Sequence, residues 1–404
     1  MKSSEVVIIG GGVIGLSTAY HLACKRAGRI TLLDKGLVGD GSSSRAAGIT
    51  SGLLWSETGV KTRKVGIELF ARISAELPGY TYHNEHGCLN LLTPKSWPDI
   101  AKMLPTYNQL GAPYEILRAR EIRRRWPVLN PVDEHIGLLD PTGGYSEPKE
   151  YIDALALRNR QLGVEIREGE KVIGFRRSQK GITGVHTHNG TIEADAVVST
   201  VHVWGLALWK ELGLRFPMKS FVHQRYVTTP PPERIGFPPV NAGPYNGYIR
   251  PANNGRILVG VGTPNRQEFR VKSTDFHMGK LSVPIQVRDE ARHRFISFLP
   301  TLSQTRWESQ HVGLICFSLD GEPILGPVGH LPGFYVGTAF HSGGFSYNTV
   351  AGLLLAELII DGKTSIDISA FSPDRFGNIE EIDCYLEKTL NEKDVGLRRQ
   401  LRRH

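Results

Sequence analysis

Cysteine is scarce in this 404-residue chain, and the sequence shows no long apolar run, internal repeat or low-complexity segment. The four cysteines, Cys24, Cys88, Cys316 and Cys384, form neither a C-x-x-C pair nor a framework spacing. That excludes a disulfide-stapled scaffold and fits a reducing compartment. No stretch approaches the ~18 consecutive apolar residues of a membrane helix, so no transmembrane segment is expected. Histidines and cysteines are scattered without ligand spacing, so no metal is expected. The net charge of +8 is modest for this length. It is spread out, apart from Arg123-Arg124-Arg125 and the C-terminal Arg398, Arg399, Arg402 and Arg403. These clusters read as a solvated helix face and a tail rather than a nucleic-acid footprint. An anionic substrate or acidic partner is compatible with the sign.

What is present is an ordinary globular composition, with 40% apolar and 22% charged residues, long enough for two or three domains. The chain is organised around its beginning. Val6-Val7-Ile8-Ile9 reads as a buried parallel strand, followed by Gly10-Gly11-Gly12-Val13-Ile14-Gly15, a helical run to Ala27 and a second strand ending at Asp34. Gly10, Gly12 and Gly15 satisfy G-x-G-x-x-G. The first allows a tight turn, the second lets the backbone approach a pyrophosphate, and the third lets helix and strand pack closely. Val13 and Ile14 open a helix whose N-terminus offers unpaired N–H groups to phosphates. An acid at position 34, with Lys35 beside it, favours an unphosphorylated ribose and so FAD or NAD over NADP. The N-terminal apolar stretch is not a signal peptide on this reading, because its glycines belong to the nucleotide turn. A cytoplasmic location is expected.

After Asp34 comes a loop of small residues, Gly41-Ser42-Ser43-Ser44-Arg45-Ala46-Ala47-Gly48, with hydroxyls for capping and room for a group to lie against the backbone. Residues 62–76 read as a helix, 87–92 as a strand, and Pro141–Tyr145 as a boundary turn. Val172–Phe175 and Gly184–His188 read as a strand and hairpin closed by Asn189-Gly190. From Pro217 to about Arg306 the alternating segments Val222–Thr228, Gly247–Arg250 and Arg256–Val261 suggest an antiparallel sheet half exposed to a cavity. Parallel-type signals return at Gly333–Gly337, followed by a glycine loop and the helix Val350–Asp361. The fold expected is therefore α/β: a Rossmann-like domain binding FAD or NAD, with an inserted antiparallel-sheet α+β substrate domain. Its bounds are 1–82, 145–215 and 308–376 for the nucleotide part, 83–144 and 216–307 for the insert, and 377–404 for a helical tail.

The blocks Val7–Gly15, Gly41–Gly48, Val197–Trp204, Pro217…Gln224, Asp320–Gly326 and Gly337–Phe345 together resemble the D-amino-acid-oxidase-like superfamily of FAD oxidoreductases. Within it the chain is most similar to the branch of the sarcosine oxidase β subunit, dimethylglycine dehydrogenase and dye-linked proline dehydrogenase. The resemblance implies that Gly10–Gly15 and Asp34 hold the pyrophosphate and adenosine ribose, and that Gly41–Gly48 pass the flavin ring. It implies that Val172 touches adenine, that Trp204 lies in a cofactor block, and that Gly343, Gly344, Phe345 and Ser346 face the pyrimidine edge of the isoalloxazine. A helix N-terminus there would stabilise the negative charge of reduced flavin.

The chain departs from the pattern in places. Covalently linked relatives carry histidine where this chain has Arg45, or cysteine where it has Gly313, so non-covalent FAD is expected. The carboxylate-binding lysine of monomeric sarcosine oxidases falls at Ser346, and their oxygen-activating lysine near Leu258. Both point away from a sarcosine oxidase and towards a dehydrogenase. The usual Ala-Gly before Trp204 is replaced by Val201-His202.

Tyr248 and Arg250 lie two apart on one strand face, so Arg250 could bind a carboxylate bidentately with Tyr248 assisting; a surface arginine and a core tyrosine is the other reading. His223 could be a site residue or a structural histidine on the sheet. His341 could polarise substrate or stabilise reduced flavin, and Arg45 could compensate charge or make a loop contact. The leading expectation is dehydrogenation of a small secondary or tertiary amine or amino acid, with oxygen, a quinone or a redox protein as electron acceptor. A 2-hydroxy-acid dehydrogenase, or a flavoprotein subunit or assembly factor, are the alternatives, and a homo- or hetero-oligomer is compatible with either.

Overall fold

Two sheets of opposite character divide the computed structural model, which describes residues 5–262, 268–377 and 379–390. The first has six strands, built around β1 (Glu5–Ile9) and β2 (Arg29–Leu33). Its order is Ile324–Pro327, Phe334–Thr338, Ala196–Ser199, β1, β2, Glu165–Arg167. All neighbours are parallel except the first pair. Val6, Val7 and Ile8 are wholly buried, as a strand covered on both faces requires. One face carries α1 (Val13–Cys24) and α3 (Gly344–Asp361), with α2 (Glu57–Glu76) against α3. α1 and α3 touch backbone to backbone, because a Cβ on Gly352 would sit 2.5 Å from the carbonyl carbon of Ser17. His21 Nε2 lies 3.0 Å from the Thr349 carbonyl oxygen across the same seam.

The second sheet has nine strands, in the order Phe340–His341, Trp307–Ser318, Met218–Thr228, Arg256–Val261, Gly247–Ala252, Val240–Ala242, Cys88–Leu92, Ile136–Asp140, Glu115–Arg118. It is antiparallel except where Val240–Ala242 runs parallel to Cys88–Leu92. The expected antiparallel segment is thus present and longer than its alternation suggested. The strand Trp307–Ser318 pairs along its length with Met218–Thr228, so this sheet extends beyond position 307 into residues that the sequence bounds gave to the nucleotide part.

Two helices begin earlier than their apolar periodicity indicates. α2 starts at Glu57, capped by Ser56, whose Oγ accepts the Gly59 N–H at 3.1 Å. α3 starts at Gly344, so the glycine loop forms its first turn. A helix spans Ile379–Glu387, while residues 391–404 of the expected tail, with its four arginines, lie outside the described residues. Among the described residues no helix is long and apolar enough to cross a membrane.

Candidate active site

At the C-terminal end of β1 the chain turns through Gly10 at φ +104°, a conformation that glycine adopts without strain. α1 then begins with Gly12 as N-cap and no side-chain cap, Ser43 Oγ meeting the Val13 N–H at 3.1 Å. Gly15 does not line the cavity; it acts through packing, since a Cβ there would lie 2.0 Å from the Gly10 carbonyl oxygen. The half-buried Asp34 carboxylate accepts the Gly11 N–H at 2.7 Å and the Gly36 N–H at 2.8 Å, and desolvation raises its pKa. Glu170, Lys171 and Val172 continue this wall. Lys35 also lines it, with its ammonium held by the Thr274 and Phe276 carbonyl oxygens, both at 2.6 Å, and 4.6 Å above the Trp204 ring.

This trench is continuous with a second chamber within one cavity of about 520 Å³. The loop of small residues separates the two. Gly41, Ser42, Ser43, Ala46, Ala47 and Gly48 line the passage, whereas Ser44 turns away and offers its carbonyl oxygen to Arg225. Arg45 lines the cavity, and one arm of its guanidinium donates to the carbonyl oxygens of Asp40 and Gly41. Its stem passes 3.3 Å from where a Cβ on Gly313 would be. The loop-contact reading therefore describes that arm of Arg45. Trp204 closes on Gly41 from the other side.

The chamber is walled by Leu53, Leu54, Trp55, Leu92, Ile100, Tyr107 and Leu138. Into it face polar groups from separate elements. His223 and Tyr248, candidates for independent reasons in the sequence, are one unit: His223 Nε2 lies 3.0 Å from Tyr248 Oη, with the rings stacked. Asn241 donates to Asn90 Oδ1 at 2.9 Å. His341 has a left-handed backbone at φ +46° and packs edge-on against Trp55. Gly343, Gly344 and Phe345 line the same end.

Besides Gly15 and Ser44, two further sequence candidates do not line the cavity. Arg250 does not reach the cavity. It is fully buried, its two terminal nitrogens meeting the Glu147 carboxylate at 2.8 and 3.0 Å and its Nε the Ala47 carbonyl at 2.6 Å. The two-residue spacing does put it on the face of Tyr248, but one step along the strand the cavity has ended and the domain seam begins. Ser346 lies inside the first turn of α3, buried behind the wall, with its Oγ unpartnered.

Several residues were missed. Arg63 lines the chamber, although in the sequence its stretch reads only as part of a helix. On that helix it shares a face with Val60, Ile67 and Phe70, and a cation on an apolar stripe was the available signal. Trp55, Tyr107, Asn90 and Asn241 carried no signal of their own. His202 lines the cavity at φ +51°, where glycine would be unstrained, with Nδ1 buried and unpartnered and its pKa pushed down to about 4 by burial.

The trench fits a dinucleotide. A tight glycine turn, a helix N-terminus with glycine as its N-cap and a half-buried acid succeed one another, and a second chamber is joined through a passage of small residues. Together they match a pyrophosphate, a ribose and a ring system at the mouth of the chamber. Comparison with known proteins gives the same assignment. The family profile described as "FAD dependent oxidoreductase" (DAO) matches residues 5–358. Human mitochondrial sarcosine dehydrogenase is 27% identical over 93% of this chain and 42% of its own length. Glycine oxidase of Geobacillus kaustophilus is 27% identical over 91% of this chain and 96% of its own. The solved L-proline dehydrogenase of P. horikoshii superposes with a TM-score of 0.84 at 26% identity, covering 93% of this chain and 98% of that one. The chain spans less than half the length of the mitochondrial relatives it matches.

Proposed function

This chain belongs to the DAO family of FAD-dependent oxidoreductases, and from that premise we propose that it dehydrogenates a C–N bond of a small secondary or tertiary amine or amino acid. The observation that carries the reading is the single cavity, in which a dinucleotide trench opens onto an apolar chamber bearing a few polar groups. When bound, FAD supplies the hydride acceptor. The chain's residues do the rest. Gly10–Gly12 and the start of α1 would hold the pyrophosphate, and Asp34 and Lys35 the adenosine ribose. Val172 would hold the adenine, Ser42, Ser43, Ala46, Ala47 and Gly48 the ring system, and Gly343–Phe345 would serve its pyrimidine side. Arg45 and Gly313 at the attachment positions of covalently linked relatives favour non-covalent binding.

The apolar walls keep water from the substrate nitrogen and disfavour its ammonium form, leaving the lone pair free to form the C=N bond as hydride leaves carbon. The Tyr248–His223 pair orients the amine through a hydroxyl whose position is fixed by the imidazole. Water then adds across the C=N bond of the released iminium, giving a carbonyl group and an amine or ammonia. Relatives named for sarcosine, glycine and proline support this substrate class.

A dehydrogenase is favoured over an oxidase. Leu258 is buried, and Arg256 is tied to the exposed Glu308 at 2.7 and 2.8 Å, so neither supplies a cation over the ring. The expected result is rapid reduction of an artificial dye, with slow peroxide formation in air and a carbonyl product trappable as a hydrazone. Dye reduction with 2-hydroxy acids and none with amines would overturn the proposal.

A further inference from the structure

We propose that His202 is a hydrogen-bond donor to FAD, its Nε2–H meeting an oxygen of the ribityl chain or of the phosphate that chain carries. The inference rests on the cofactor site alone and not on which substrate is oxidised. His202 opens the short helical turn His202–Trp204, which follows the strand Ala196–Ser199, and it lines the cavity. Its neighbours on either side fix which part of the cavity it meets. Thr200, two residues before, donates to the Ile9 and Gly10 carbonyl oxygens at 3.1 and 3.0 Å, and is thereby tied to the glycine turn. Trp204, two residues after, packs 3.5 Å from where a Cβ on Gly41 would be, at the entrance to the passage of small residues. Between a pyrophosphate at that turn and a ring system in that passage, the cofactor presents its ribityl and phosphate oxygens.

Two costs set His202 apart. Its backbone is left-handed at φ +51°, a conformation that strains any residue with a Cβ and leaves glycine unstrained. Its side chain is half-buried, with Nδ1 fully covered and unpartnered while the residue lines the cavity. Burial holds the ring neutral. A neutral imidazole carries one proton, on either nitrogen. Placed on Nδ1, that proton would be a buried N–H with no acceptor, which is the costlier defect. Placed on Nε2, it is available to whatever fills the cavity. The surroundings therefore select the Nε2–H tautomer, and the cavity wall gains an uncharged donor. Glycine at this position would spare the backbone and offer no donor. Both costs are answered once an oxygen of the cofactor accepts from Nε2, because the strained turn is what aims the ring from the wall between Thr200 and Trp204.

The test follows release of FAD from the loaded protein on dilution, read as recovery of flavin fluorescence. His202→Gly removes the donor and the strained Cβ together, so affinity and stability should move apart. The FAD Kd is expected to rise about tenfold or more, with the unfolding midpoint measured without FAD at or above that of the wild type. His202→Phe keeps a ring of similar size without the N–H and should lose affinity to the same degree. His202→Asn, which tolerates this backbone and carries an amide N–H, should fall between. A wild-type Kd in either His202→Gly or His202→Phe overturns the proposal. So does a parallel fall of affinity and FAD-free stability in His202→Gly, since the imidazole would then only fill the wall. The nitrogen NMR spectrum of the loaded protein, isotope-labelled in histidine, should show a ring with bare Nδ1 and protonated Nε2 that disappears in His202→Asn. A proton on Nδ1 of that ring overturns the proposal whether or not the glycine variant folds. Weakened FAD binding in these variants, without flavin reduction by any amine or amino acid, would keep this inference and remove the amine reading. Reduction by amines, with FAD binding untouched in the variants, would do the reverse.

Discussion

Arg63 and Arg250 show how two arginines of similar sequence character come to opposite surroundings. Arg250 has a carboxylate and two carbonyl oxygens within hydrogen-bond range and so holds the seam between the sheets. Arg63 has no such partner and faces the chamber. Arg250→Met would leave Glu147 without its countercharge, and should cost about 3 kcal/mol of stability. The expected readout is a lowered unfolding midpoint with KM for the substrate little changed in the folded fraction. A normal midpoint with a raised KM would return Arg250 to the substrate site. The tight turn at Gly10, the close packing at Gly15 and the acid at Asp34 were legible because the backbone itself demands those types at those places. Residue-level reading failed at Arg250 because spacing names a face of a strand but not where along the strand the cavity ends. It missed Arg63 because a helix over 62–76 does not by itself say which of its side chains meets a cavity.

Among the elements, α1 and α3 form the pair on which the cofactor trench rests, since both helices begin at its rim and meet through Ser17 and Gly352. His21 joins them, with Nε2–H donating to the Thr349 carbonyl oxygen, and burial pushes its pKa down to about 4. Above an unfolded-state pKa of about 6.5 both folded and unfolded chains hold it neutral. As pH falls below that value the unfolded chain takes up the proton first, so stability is lost between about pH 6.5 and 4, to a limit of about 3 kcal/mol for this one group. Urea unfolding of the FAD-loaded protein should show a falling midpoint across that window, and His21→Gln should flatten the fall. An identical pH dependence in the variant would mean that His21 is not the group responsible. The strands and helices of this half were legible from apolar runs and periodicity. The starts of α2 and α3 were not, because Gly59, Gly343 and Gly344 read as loop while tertiary packing makes Gly59 and Gly344 helical.

At the scale of the molecule, the parallel sheet presents the nucleotide trench and the antiparallel sheet roofs the chamber, with the loop 41–48 as the passage between them. That two-part plan was visible in the sequence as a change of texture near Pro217 and a return near Gly333. The extension of the second sheet through Trp307–Ser318 was not, since a long strand alternating unevenly gives no sign of which sheet it joins. The chamber's composition was also hidden. Trp55, Tyr107, Asn90, Asn241 and Arg63 come from separate segments that only the fold assembles. The central claim is that this cavity brings the C–N bond of a small amine or amino acid to the flavin. Anaerobic mixing of the FAD-loaded protein with a panel of N-alkyl amino acids, cyclic amino acids, simple amines and 2-hydroxy acids tests it most directly, read as bleaching of the visible flavin bands. The account predicts bleaching by at least one amine-bearing member, with one equivalent of substrate consumed per flavin. Bleaching by hydroxy acids alone, or by no member of the panel, would contradict it.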